Sequence, residues 1–154
     1  MEFRYGGCMA GRKQFSTFVV DRLLFGVAVE EVQEVIRYQE MTRVPLAPPV
    51  VKGLINLRGQ IVTAIDLRRR LGLRERPDSD LPMNVVIRHN DGAVSFLVDE
   101  IGDVLEVEEE SFELAPGTVA VQARELIQGV YKLKNTILIA LHTEKVLDLA
   151  PATA

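Results

Sequence analysis

"VKGLINLRGQIVTAIDLRRR", residues 51–70, decides how the rest of the chain is read. Two aliphatic runs of strand length, Leu54 to Leu57 and Ile61 to Ile65, flank Arg58 and Gly59. A permanent charge in the middle of a core segment makes physical sense if the backbone reverses there. A two-residue hairpin loop needs positive φ, which Gly and Asn adopt at least cost. Arg58-Gly59 is therefore expected at a β-hairpin tip, with Gly59 as the structural turn residue and the Arg58 head free. Arg58 then has two readings: a solvated turn residue, or a cation held rigidly by two core strands to pair with a partner's carboxylate. The continuation "DLRRRLGL" predicts a short helix from Asp66 to Leu71, stopped by Gly72.

Outward from this hairpin the same pattern recurs. Phe15 to Val20, Leu23 to Val29, Met83 to Ile87, Val94 to Val98, Val104 to Val107, Leu126 to Leu133 and Thr136 to Leu141 all have strand length. Turn signals stand at Asp21-Arg22, Asn90-Asp91-Gly92 and Lys134-Asn135. Val29, Val32 and Val35-Ile36 allow a turn or two of helix over 29–36, and "HTEKVLDL" allows another near the end. The pattern argues for a mainly β protein built from small barrels. "RERPDSDLP", residues 74–82, is the most polar internal stretch and the natural boundary between two halves.

The halves look alike. "VEEVQEVI" (29–36) aligns with "VDEIGDVL" (98–105) at an offset of 69 residues. "GLINLRGQIVTAIDLRR" (53–69) aligns with "GVYKLKNTILIALHTEK" (129–145) at an offset of 76. The longer second offset places extra chain in residues 108–125. Both matches run in the same order, so a tandem duplication of a small β-unit is expected. The second copy has Lys134-Asn135 where the first has Arg58-Gly59, which makes Asn135 the expected turn residue there.

Composition narrows the function. With 154 residues, 47% of them hydrophobic, the chain is long enough for one domain with a real core, or for two small subdomains that share one. The net charge of −4 disfavours a nucleic-acid binder. Cys8 has no partner cysteine, so a disulfide framework is excluded and a reducing cytoplasm fits. No apolar run is long enough to span a bilayer, and residues 1–13 read as a tail.

Reactive constellations are not evident. Cys8 falls in the tail, His89 stands beside a turn, and His142 aligns with Asp66 at a helix start. No metal-ligand spacing or phosphate-binding glycine loop occurs. Asp99, Glu100, Asp103, Glu106 and Glu108 to Glu110 read as a solvated acidic face. Arg68, Arg69, Arg70, Arg74 and Arg76 could grip phosphates, but without interleaved aromatics they read as a charged helix and linker.

These residues carry a resemblance. "VKGLINLRGQIVTAIDLRRRLGL" resembles the signature of the CheW-like domain family, adaptors of bacterial chemosensory arrays. "RKQFSTFVVDRLLFGVAVEEVQEVIRYQEMTRVPLAPPVVKG" is similar to that family's N-terminal half, and "VSFLVDEIGDVLEV" with "IQGVYKLKNTILIALHTEKVL" to its C-terminal half. The resemblance implies two tandem five-stranded SH3-like β-barrels packed around a shared hydrophobic core, with short helices. It would form a single domain over 14–149, with subdomains at about 14–73 and 83–149, a linker at about 74–82, and tails at 1–13 and 150–154. The implied function is a non-catalytic adaptor without cofactor or metal, cytoplasmic and recruited to membrane-associated receptor arrays. Its implied partners are the C-terminal regulatory domain of the histidine kinase CheA and the cytoplasmic hairpin tip of methyl-accepting chemoreceptors, with no nucleic acid and no direct membrane insertion. Carried over residue by residue, Arg58 lies at the receptor groove, and Val32, Gly53 and Met83 fall on receptor-facing positions. "KLKN" departs from the family's NLRG, so the first copy alone is expected to carry the anchor. Neither kinase domains nor a receiver accompany the motifs, so a stand-alone adaptor is expected. The alternative is a paralogue serving twitching motility or biofilm signalling; a small β-barrel enzyme or nucleic-acid binder is a remote one.

Overall fold

A computed structural model describes residues 12–77, 79–116 and 121–148. Strands β1 (Arg12–Val20) and β2 (Leu23–Ala28) form the first hairpin, and a 3-10 turn at Val29–Glu31 leads into β3 (Val32–Ile36). A long loop precedes β4 (Val51–Leu57), β5 (Gln60–Asp66) and α1 (Leu67–Leu71). Then come β6 (Met83–His89), β7 (Gly92–Val98) and β8 (Glu100–Glu108). A second 3-10 turn at Glu109–Ser111 is followed by β9 (Phe112–Glu113), α2 (Val121–Leu126), β10 (Ile127–Lys132), β11 (Ile137–Leu141) and α3 (Thr143–Leu147).

The protein is mainly β, as expected, and has two sheets. One is ordered β4-β5-β7-β6-β3 and the other β9-β10-β11-β2-β1-β8. The second has six strands rather than five, because β9 pairs with the edge of β10. With β9 set aside, the two orders are equivalent position by position, which is what a duplication requires. Each has one parallel contact, β5 with β7 and β11 with β2. The offset of 76 carries the pairs Val51↔Ile65 and Gly53↔Ala64 onto Ile127↔Leu141 and Gly129↔Ala140, with the β-bulge between them. The offset of 69 carries the hairpin end Val20↔Leu23 onto His89↔Gly92.

Each sheet also borrows a hairpin from the other half. β6–β7 complete the first sheet, and β1–β2 complete the second. The expected division at 74–82 therefore separates the repeats but not the sheets. A parallel contact needs a crossover connection, which α1 and the segment after it supply between β5 and the β6–β7 hairpin.

Three apolar clusters fill the molecule. Ile55, Leu57, Val62, Ala64, Val86 and Leu97 pack inside the first sheet, and Phe15, Val107, Tyr131, Leu138 and Ala140 inside the second. The largest lies between them. It takes Phe18, Val20, Phe25 and Val27 from one exchanged hairpin, Val85, Ile87, Phe96 and Val98 from the other, and Leu67, Leu71 and Val146 from the helices. The exchanged hairpins are thus buried on both faces, which is why they read as nearly continuous apolar runs.

Residues 29–36 differ from the helix expected of them. One 3-10 turn is followed by strand β3, paired with β6 from Val32↔Ile87 to Ile36↔Asn84. The three-residue spacing of valines imitates a helical face, but β-branched residues beside a free strand edge favour pairing. Leu126 ends α2 rather than starting a strand, so the extra chain of the second half holds a 3-10 turn, β9 and α2.

Candidate functional site

The β4–β5 hairpin closes with Leu57 opposite Gln60, leaving Arg58 and Gly59 as its two-residue tip. Both have positive φ, 52° and 89°. The Asn56 side chain accepts the Gly59 N–H at 2.9 Å and fixes the turn. The Arg58 side chain is 67% exposed, but its head is not free as expected. It forms an ion pair with Glu34 on β3, at the opposite edge of the same sheet. Curling of the sheet brings the two edges together, and Gln33 Nε2 donates to Gln60 Oε1 beside the pair at 3.5 Å. The Arg58 guanidinium holds the Glu34 carboxyl below its usual range; burial opposes this, and a hydrogen bond from Gln33 adds to it.

The other receptor-facing positions lie deeper. Val32 and Met83 are partly buried against the central core, near opposite ends of the β3–β6 ladder. Gly53 is buried beneath the preceding loop: a Cβ there would stand 2.7 Å from the Thr42 carbonyl oxygen. Of the four positions, Arg58 alone is exposed, and its neighbour is Glu34. Glu34 escaped the sequence reading, since 24 residues and a barrel closure separate it from Arg58. Its available signal was its place at the repeat position of Asp103.

The second copy does not reproduce this arrangement. Lys132↔Ile137 is the last pair of the β10–β11 hairpin, so its tip spans four residues, closed by the Leu133 N–H on Thr136 O at 2.9 Å. Asn135 lies in that tip but does not have positive φ, contrary to its expected role as a left-handed turn residue. Among the described residues Asp103 and Lys134, the counterparts of Glu34 and Arg58, do not pair with each other. Lys132 pairs instead with Glu113 on β9 at 2.6 Å.

Apolar exposure, by contrast, is shared by the repeats. The first sheet exposes Val35 on β3 and Ile61 beside the Arg58 tip. The equivalent positions of the second sheet, Val104 on β8 and Ile137 beside the four-residue tip, are exposed as well.

The arginine cluster is a structural clamp. Arg68 grips Asp99 through Nε and Nη2 at 3.1 and 2.6 Å, and Arg76 grips Asp99 Oδ1 from Nε and Nη2 at 3.1 and 2.9 Å. The Asp21 N–H donates to Asp99 at 2.7 Å, and Arg74 pairs with Asp21 at 3.0 Å. Arg70 donates to the carbonyls of Lys145 and Val146, each at 2.8 Å, and so ties α1 to α3. Asp99 therefore does not belong to a solvated acidic face. Burial pushes its carboxyl up, but hydrogen bonds from Arg68, the Asp21 amide and Arg76 outweigh that and hold it below its ordinary value. Cys8 lies outside the described residues. His89 ends β6, and His142 starts α3 without a side-chain capping bond. Among the described residues no group of His, Cys, Asp and Glu is arranged to hold a metal ion.

The model of the CheW-like domain matches residues 14–150. The "Chemotaxis protein CheW" of Bacillus subtilis (strain 168) is 35% identical over 131 residues, 85% of this chain and 84% of that one. The protein of the same name from Treponema pallidum (strain Nichols) is 30% identical over 136 residues, 86% of this chain and 80% of that one. The crystal structure of scaffolding protein TtCheW from Thermoanaerobacter tengcongensis superposes with a TM-score of 0.74 at 27% identity, covering 84% of this chain and 88% of that one.

Proposed function

The chain belongs to the CheW-like domain family, and from that premise we propose that it is a non-catalytic chemotaxis scaffold coupling chemoreceptors to the histidine kinase CheA. The match over residues 14–150 carries the proposal, because it takes in both sheets and both exchanged hairpins rather than one motif. Receptor contact is assigned to the face around Arg58, where a cation stands on a rigid two-residue tip and exchanges its Glu34 partner for a carboxylate of the receptor hairpin. Val32, Gly53 and Met83 support that face from below. Kinase contact is assigned to exposed apolar positions: Val35 with Ile61 on one sheet, Val104 with Ile137 on the other. The regulatory domain of CheA shares the family fold, so repeated apolar positions suit a partner built from the same barrels. The chain works in the cytoplasm at receptor arrays; among the described residues no helix is long and apolar enough to cross a membrane.

The test is a ternary reconstitution of the purified protein with CheA and a receptor cytoplasmic fragment, reading co-sedimentation and kinase autophosphorylation. The protein is expected to bring receptor and kinase into one pellet and to raise kinase output. Ile61→Asp and Ile137→Asp are expected to weaken kinase binding, and added salt is expected to weaken it modestly, as for an interface with an apolar centre. Failure to co-sediment with either partner overturns the assignment. So does a catalytic turnover that a point mutation in this chain abolishes.

A further inference from the structure

Between β3 and β4 the chain runs through "RYQEMTRVPLAPPV", residues 37–50, without a strand of its own. The loop is nevertheless pinned. Thr42 and Leu54 exchange two backbone hydrogen bonds of 2.8 Å, and Val51 and Asp66 donate to Pro48 and Val50 at 2.9 and 2.7 Å. Against the body of the protein it encloses a groove of about 810 Å³, within the range of ligand-binding clefts.

Three observations give this groove a chemistry. Its lining includes Arg43, Lys52 and Arg69 and no acidic residue, on a chain whose net charge is −4. Arg69 Nε is buried there 3.9 Å from Asp66 Oδ2 without a hydrogen-bond acceptor, while Nη1 donates to the Pro49 carbonyl at 3.3 Å and Nη2 to Glu75, outside the lining, at 3.2 Å. Leu46, also in the lining, is fully exposed and held at a φ of 65°. A left-handed conformation costs a leucine free energy that its surroundings must sustain, and such strain gathers at binding sites. The Leu46 side chain gains nothing from burial in the free protein, so a partner that covers it would add that gain to binding.

We propose that the groove behind the 37–50 loop binds a short acidic segment of a partner protein, its carboxylates meeting Arg43, Lys52 and Arg69 and an apolar side chain covering Leu46. Nucleic acid and anionic membrane fit less well. Either would carry a long-range negative field toward an acidic chain, whereas a short peptide presents a few carboxylates within a Debye length of the three cations. The site is separate from the Arg58–Glu34 pair, so its test does not depend on receptor or kinase coupling.

The probe is a pooled library of six-residue peptides, with Asp or Glu at the four flanking positions and Leu, Ile, Val, Met or Phe at the two central ones. It is titrated into the labelled full chain and followed by amide chemical shifts; a matched pool carries Asn and Gln at the flanks. The acidic pool is expected to shift amides of residues 41–54 and to lose its effect as salt rises, while the amide pool leaves them unmoved. Arg43→Glu and Lys52→Glu, both at exposed positions, are each expected to weaken binding about tenfold or more. Leu46→Gly, which relieves the backbone strain, is expected to raise the melting temperature and weaken binding. No shift with the acidic pool, equal shifts with the amide pool, shifts confined to other surfaces, or binding that survives all three substitutions overturns the proposal.

Discussion

Arg58 and Glu34 show what an exposed ion pair can and cannot do. The pair contributes little to folding, because Arg58 is largely in water and exposed pairs give about 0–1 kcal/mol. Arg58→Ala is therefore expected to leave the melting temperature nearly unchanged while receptor affinity falls about thirtyfold, the loss of about 2 kcal/mol typical of a cation at an interface centre. Arg58→Lys should recover part of that, since lysine lacks the planar two-point contact. Lys134→Ala should do much less, because its tip is wider and, among the described residues, does not hold Lys134 against Asp103. Receptor sedimentation with a parallel melt decides it, and normal receptor binding by Arg58→Ala would reduce Arg58 to a solvated turn. Asp99 is the opposite case. Arg68 and Arg76, 11% and 6% exposed, depend on it for charge compensation. Asp99→Asn is expected to cost about 3 kcal/mol, the scale for removing one partner of a largely buried pair. Because the folded state holds the Asp99 carboxyl below its ordinary 3.8, this stabilisation is complete above that pH and drains away as pH falls beneath it. Acid unfolding of the wild type should therefore be steeper below about pH 4 than that of Asp99→Asn, and coincident acid curves would remove Asp99 from the account.

At the scale of elements, the duplicated glycines make the sharpest prediction. A Cβ at Gly53 would meet the Thr42 carbonyl at 2.7 Å, and one at Gly129 would meet the Glu113 carbonyl at 2.6 Å and run into the Phe112 ring. Backbone cannot yield as a flexible side-chain end can, so Gly53→Ala and Gly129→Ala are each expected to destabilise by about 1–3 kcal/mol. Denaturant titration measures this, and two neutral outcomes would show that the overlying segments move freely. The same hairpins show how much could be read in advance. Arg58-Gly59, Asp21-Arg22 and the flanking runs were legible because local turn chemistry and β-branched residues agree there. The helix at α1 was legible from Asp66, which accepts the Arg68 N–H at 3.1 Å, and from Gly72 at its end. Strand β3 was misread because its valines fit a helical spacing, and only the partner β6 resolves the ambiguity. Of the candidate site, Arg58 was visible as a charge in an aliphatic run. Glu34 was not, since an ion pair across a barrel closure leaves no local trace. Nor was the clamp on Asp99, whose arginines reach it from 23 and 31 residues away.

The whole molecule depends on the exchange of hairpins, which an internal repeat cannot reveal. Exchanged and unexchanged barrels use the same strands in the same order, and only long-range pairing distinguishes them. The exchange predicts that the chain, cut between Arg76 and Leu81, yields two halves that fold poorly alone but recombine when mixed into one cooperatively melting particle. The alternative is that each half seats its own hairpin in the vacant place, β1–β2 where β6–β7 belong. The offset of 69 says what that would entail. Phe15 would take the position of Asn84, and Phe25 that of Val94. Asn84 is fully buried, accepts the Ser95 hydroxyl at 2.7 Å and donates to the Arg37 carbonyl at 3.0 Å. Replacing it with phenylalanine strips that carbonyl of its donor and overfills a packed site, so cavity fit and hydrogen bonding both oppose the substitution. Left without a substitute, β5 and β3 of the N-terminal half lose the strands that join them. The central core loses Val85, Ile87, Phe96 and Val98 from one wall. Fragments of this size have too little core to absorb such a loss. Circular dichroism and calorimetry on each half, alone and mixed, provide the test: separate cooperative melts from the isolated halves would mean that the repeats can close on themselves and that the exchange contributes nothing to folding.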